Sequence, residues 1–302
     1  FNFLMFFLAK WLLPLLKIEK GTPAYRTYMM LIPSLAPGLS CFPFVIEYLG
    51  DETLAQAALA DVGNKIFVLI ILYLIAMKWY YQLKESNGEE KGTEESRLKG
   101  LLKSLISEPV NLVIVSAIIL LAFGLNMSAL PVFFQDTVTK MSALMTPMVL
   151  LFIGMAVKFN RQQFSKIFQL LLFRSGLAFV FSALVLTFVP VSSSMAMLIL
   201  IFPQSAASFW PFAHMSAVTS LQANNKEQST VFQLDLGLNF LALSLPFSTL
   251  LILVICSTGS SFANTWVAWL AGLSMLGIVI VPLLLRGIAK RKKEEKRALA
   301  PV

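Results

Sequence analysis

Residues 32–44 read IPSLAPGLSCFPF, three prolines and a glycine set inside apolar sequence of membrane-spanning length. A helix in a bilayer must satisfy its own backbone hydrogen bonds, so a break is tolerated only where it is buried in protein or lines a cavity. The same grammar returns at 202–212, FPQSAASFWPF. Each broken segment is followed by an apolar one carrying an acid, a glycine and an asparagine. In LADVGNKIF these are Asp61, Gly63 and Asn64; in QLDLGLNF they are Asp235, Gly237 and Asn239. Interrupted apolar segments at matching places in two halves of a chain point to the binding site of a secondary transporter.

Composition agrees. The chain has 302 residues, 57% hydrophobic and 13% charged, and its mean hydropathy is +0.77. Soluble domains carry about 25% charged residues, so an all-α integral membrane protein is expected. The formal charge of +8 comes from Lys and Arg between apolar spans, which reflects topology rather than a nucleic-acid partner. Cys41 and Cys256 both lie in apolar stretches and read as small hydrophobes, not a disulfide framework. The chain opens FNFLMFFLAKWLLPLLK without a signal-peptide pattern, and its first apolar run is short for a span. Missing N-terminal helices are therefore expected.

Apolar spans fall near 1–16, 28–48, 54–80, 107–125, 131–157, 167–190, 194–220, 229–256 and 265–286, about nine in all. This predicts a partial N-terminal repeat over 1–80, a polar linker over 81–106 and a five-span C-terminal repeat over 107–256. An extra span and a basic tail fill 257–302. Basic residues mark alternate loops: Lys17, Lys20 and Arg26; Lys84, Lys91, Arg97, Lys99 and Lys103; Lys158, Arg161 and Lys166; Lys226; and the tail RGIAKRKKEEKR. The positive-inside rule then puts the C-terminus in the cytoplasm of a multi-pass protein of the plasma (inner) membrane. The two broken units enter the bilayer from opposite sides, the inverted repeat of alternating-access carriers.

Proline removes a backbone donor and clashes with the preceding turn. Pro37, Gly38 and Pro43 are thus expected to unwind one helix, and Pro203 and Pro211 the other. Unwinding exposes amides and helix ends where an anionic group binds, with Ser34, Ser40, Gln204, Ser205 and Ser208 beside them. The bland alternative is a simple kink with serines bonded to their own backbone. Intramembrane charges are functional by default. Asp61 is expected roughly 12 Å deep and Asp235 roughly 9 Å deep, approaching mid-membrane from opposite faces. Lys65 sits at i+4 from Asp61, so the two either neutralise each other structurally or divide between substrate and coupling proton. A carboxyl drawn out of water favours its neutral form, as a proton carrier requires. Asn64 and Asn239 offer amide contacts. Asp136 and Lys140 read as a satisfied pair, Lys10 and Arg174 as snorkelling residues, and His214 as a packed residue before a proton relay.

These stretches resemble the auxin efflux carrier family of permeases, within the wider bile/arsenite/riboflavin transporter-like superfamily. APGLSCFPF at 36–44 is similar to that family's Asn-Thr-Gly-Phe-Leu-Gly-Leu-Pro crossover, and EYLGDETLAQAALADVGNKIF at 47–67 to the turn and helix after it. Pro203-Gln-Ser-Ala resembles the second crossover, and Leu245-Pro246 the end of the tenth helix. The resemblance implies ten helices in two inverted five-helix repeats, broken fourth and ninth helices that cross, and transport of small organic anions. Ala36 departs from it where the crossover asparagine usually stands, and Cys41 where a glycine does.

The leading expectation is a proton-linked or uniport carrier of small organic anions, with the lipid bilayer as partner and pairing with a second copy left open. A sodium-coupled symporter and a non-transporting sensor or scaffold on the same fold are the alternatives. An intramembrane protease with Ser40 as nucleophile and His214 as base is the enzymatic rival, but its motif lacks the final glycine. HExxH and Walker A sequences are absent, and neither an enzyme activity nor a cofactor or metal is expected.

Overall fold

The computed structural model describes residues 1–86, 129–157, 161–224, 230–259 and 264–298, with isolated positions between 112 and 125 and residue 262. Among these the chain is all-helical. Most of the expected span at 107–125, the linker over 87–106 and the loop at Lys226 lie outside the described residues.

Helix α1 (Asn2–Leu15) ends where Lys17 takes a left-handed φ of 59°. Ile18 N–H then donates to Leu13 O at 3.0 Å, closing the last turn, with Leu13 and Ile18 both buried. Helix α2 (Pro23–Leu31) starts with Thr22, whose hydroxyl accepts from Tyr25 N–H, and with Pro23 at the first position, where its missing donor is not needed. It stops because Pro33 cannot continue the ladder. A non-helical stretch follows, then the short α3 (Pro37–Ser40) and α4 (Phe42–Lys65).

Gly50 interrupts α4 with φ 83° and ψ 175°, a conformation open to glycine alone. A π-helical turn over Ile66–Ile71 joins α4 to α5 (Leu72–Ser86). Helix thus continues past residue 81, where the linker was expected to begin. The remaining elements are α6 (Val132–Ala156), α7 (Arg161–Phe188), α8 (Ser193–Ile201), α9 (Trp210–Asn224), α10 (Leu234–Ser257) and α11 (Thr265–Ala298). A 3₁₀ turn at Phe202–Gln204 ends α8. Residues 205–209 form the second break, and Pro211 begins α9 harmlessly in its first turn.

Five helical runs among the described residues are long and apolar enough to cross a membrane: Phe42–Glu85, Val132–Met155, Gln163–Phe188, Leu234–Ser257 and Thr265–Leu283. Helices α1 and α8 are shorter apolar helices. The buried apolar residues form two clusters. One gathers α1, α2, the π turn, α5, α9 and the start of α10. The other gathers Cys41, Val45 and Ala57 with α8 and the far end of α10.

Helix α11 packs chiefly on α7. Gly176 and Gly272 face each other there so closely that a methyl group on Gly272 would lie 2.9 Å from Val180 Cγ2 and 3.0 Å from Gly176 O. Small residues at such contacts let membrane helices approach backbone to backbone.

Candidate functional site

The two breaks meet. Ala36 N–H donates to Ala206 O at 2.7 Å, joining the first broken segment to the second, backbone to backbone. Three successive amides of the second break then find serine hydroxyls on other elements. Ala206 N–H donates to Ser40 Oγ at 2.8 Å, Ala207 N–H to Ser244 Oγ at 2.7 Å, and Ser208 N–H to Ser34 Oγ at 3.1 Å. Buried backbone donors require partners, and short serine side chains supply them here without bulk.

The first break has the complementary need, for donors to its carbonyls. Arg174, from the middle of α7, gives Nε–H to Ile32 O at 3.0 Å and Nη2–H to Ser34 O at 2.9 Å. Asn64 gives Nδ2–H to Leu35 O at 3.0 Å and also to Asp61 Oδ1 at 2.8 Å. Asn2 completes the set by donating to Asn64 Oδ1 at 2.7 Å. Asn64 therefore ties the buried acid to the broken backbone.

Asp61 is 4% exposed and pairs with Lys65 at 3.2 Å, while the lysine side chain is 63% exposed. Both line a cavity of about 510 Å³ that runs along the first break from Leu35 to Leu39 and touches Val68, Ser208 and Trp210. The expected acid–lysine pair, the first proline–glycine break and part of the second break are thus brought to one place. Pro37 and Gly38 line the cavity, while Ser40 is buried with its hydroxyl donating to Ala36 O. Pro43 lies exposed in the first turn of α4.

The second half differs from expectation. Asp235 was expected deep in its span, as a mirror of Asp61. Helix α10 begins only at Leu234, so Asp235 falls in its first turn and is exposed. An acid there suits the helix dipole. Asn239 is buried and donates to Gln163 Oε1 at 2.8 Å. Pro203 stands in the 3₁₀ turn. Gln204 is fully buried, with its amide nitrogen on Ser175 O at 3.2 Å. Ser205 donates to Phe202 O at 2.6 Å, and Ser208 Oγ accepts from Trp210 N–H. Neither Gln204, Ser205 nor Asn239 lines the cavity.

Two further expectations change. Arg174 does not snorkel: it is 1% exposed. Asp136 and Lys140, both exposed on α6, form no ion pair. The expectation of free amides also fails over residues 206–208, because serine hydroxyls already occupy them. His214 Nε2 lies 3.2 Å from Val68 O, across the π turn, and its ring meets Tyr73 edge-on. It does not contact Ser40, so no protease dyad forms.

Sequence reasoning missed Arg174, Ser244 and Asn2. Arg174 carried a usable signal, a charge inside an apolar run. No protein-family model, curated protein or solved structure matches this chain.

Proposed function

We propose that this chain is a secondary transporter that moves a small organic anion by alternating access, proton-linked or as a uniporter. One observation carries the reading: two interrupted helices bonded to each other beside a cavity lined by the buried Asp61 and its exposed partner Lys65. Broken helices at a shared crossing are how carriers build a site within the bilayer. In this reading the chain has nine spans in an inverted repeat related to the auxin efflux carrier family, in the plasma (inner) membrane with a cytoplasmic C-terminus. Lys65 meets the cargo carboxylate, Asp61 exchanges a proton, and the elements on either side of the crossing rock against each other.

The test is uptake of radiolabelled small organic acids into liposomes holding the full chain, with and without a pH gradient, beside Asp61→Asn and Lys65→Gln. Gradient-driven flux lost in Asp61→Asn supports the proton-linked form. Gradient-independent flux unaffected by Asp61→Asn supports uniport, and absence of flux for every acid refutes transport.

A second reading, a non-transporting sensor on the same architecture, is favoured by the serine occupancy of all three amides at 206–208. It predicts binding without flux.

A further inference from the structure

Arg174 presents an unusual electrostatic situation. Its guanidinium is buried in α7, and its hydrogen bonds go to two neutral carbonyls, Ile32 O and Ser34 O. The ring of Phe1 lies 6.0 Å from its central carbon. Among the described residues no carboxylate lies within 4.0 Å of it, since the ion pair found there joins Lys65 to Asp61. That pair cancels itself, which leaves Arg174, among the described side chains, as the net charge of the crossing. A buried cation without a counter-ion is costly. The two carbonyls offset part of that cost, because they stand at the C-terminal, negative end of α2.

We infer that Arg174 is the fixed charge that makes the crossing select anions over neutral molecules of the same shape, acting at a distance rather than by contact. The inference rests on the transport reading. Ser34 O, which accepts from Arg174, belongs to the residue just before Leu35, and Leu35 lines the cavity. The guanidinium therefore sits behind the cavity wall, with a layer of backbone between it and the cargo. Over about 10 Å at an effective dielectric near 20, one unit charge biases a charged cargo over its neutral isostere roughly fifteenfold. Screening by salt does little to a buried charge.

The role differs from that of Lys65, which is exposed to the cavity and whose charge Asp61 already balances. It differs too from a purely structural peg. A peg needs two donors to the carbonyls and no net charge, whereas selectivity needs the charge itself.

The experiment compares benzoate with benzamide, entering liposomes that hold the full chain with the membrane potential clamped at zero. The readout is the benzoate-to-benzamide rate ratio, which cancels differences in the amount of folded protein. Wild type favours benzoate. Arg174→Met lowers the ratio by about fifteenfold, and Arg174→Lys keeps it within about threefold. A folded Arg174→Met protein with the wild-type ratio overturns the inference. Should Arg174→Met fail to fold, Gln204→Glu takes its place, because Gln204 bonds to the residue next to Arg174 and the new carboxylate offsets the charge. An unchanged ratio there overturns the inference equally. Wild type that moves neither compound leaves the transport reading to the wider acid panel. Binding of the two compounds to the solubilised protein then decides selectivity alone, and equal binding of both, or no binding, ends it.

Discussion

Replacing Asn64 by alanine removes the amide that serves both the broken backbone and the buried acid. Its bond to Leu35 O, 3.0 Å, is amide to carbonyl; its bond to Asp61 Oδ1, 2.8 Å, is assisted by charge. Stranding a buried carbonyl costs about 1–3 kcal/mol, and a hydrogen bond to a charged group contributes about 1.5–3 kcal/mol. The cavity adjoins Leu35, Asp61 and Asn64, so water can enter the space left by the side chain and the lower ends apply. Asn64→Ala should therefore cost about 2.5 kcal/mol of folding stability, read from denaturation of the detergent-solubilised protein in sodium dodecyl sulfate. Asn64→Asp is nearly the same shape but has no donor when ionised and adds charge beside Asp61, so it should cost more than the alanine. A double-mutant cycle with Asp61→Asn should return a coupling of about 1 kcal/mol or more between the two positions. A cost below about 0.5 kcal/mol for Asn64→Ala, or additive effects in the cycle, would refute the view that Asn64 fastens the acid to the break.

Other sites give independent checks. Ser244→Ala leaves Ala207 N–H without its 2.7 Å acceptor and should cost about 1–3 kcal/mol in the same denaturation assay; Ser274→Ala, where an exposed hydroxyl bonds its own helix backbone, serves as a near-neutral control. Gly272→Leu forces a side chain against Val180 and Gly176 O. It should separate α7 from α11, costing about 1–3 kcal/mol, and a cysteine pair across that contact should crosslink less well in its presence. Lys17→Gly relieves a left-handed residue at the end of α1 and should raise stability by about 0.5–1 kcal/mol; a loss would show that the lysine side chain outweighs the backbone.

The breaks were legible because proline and glycine act locally: Pro33 ends α2 and Pro37 starts α3 by chain geometry alone. The Asp61–Lys65 pair was legible for the same reason, four residues apart on one helix. What the breaks bond to was not legible. Ser34 and Ser40 lie 174 and 166 residues from the amides they hold, and no spacing rule reaches that far. Arg174 was misplaced because a span drawn from hydropathy put it near an edge, whereas α7 begins at Arg161 and centres on it. Asp235 erred in the opposite sense. The apolar residues Val231 and Phe232 extended the apparent span, yet they precede the helix and pack into the core as coil. The π turn at 66–71 has no sequence signature at all, since Ile, Phe, Val and Leu fit any helix.

The division of labour at the crossing has a biosynthetic consequence. The second break brings amides that nothing in 193–224 satisfies, and two of their three acceptors come from residues 34 and 40. In hydrocarbon each unmatched donor costs several kcal/mol. The later half must therefore wait, as it leaves the ribosome, for an earlier half already in place, and the third amide waits further for Ser244. A chain severed within the connection at 87–106 should yield a C-terminal piece that is degraded alone and rescued by co-expression of the N-terminal piece. Quality control of this protein thus hinges on a handshake between parts made at different times.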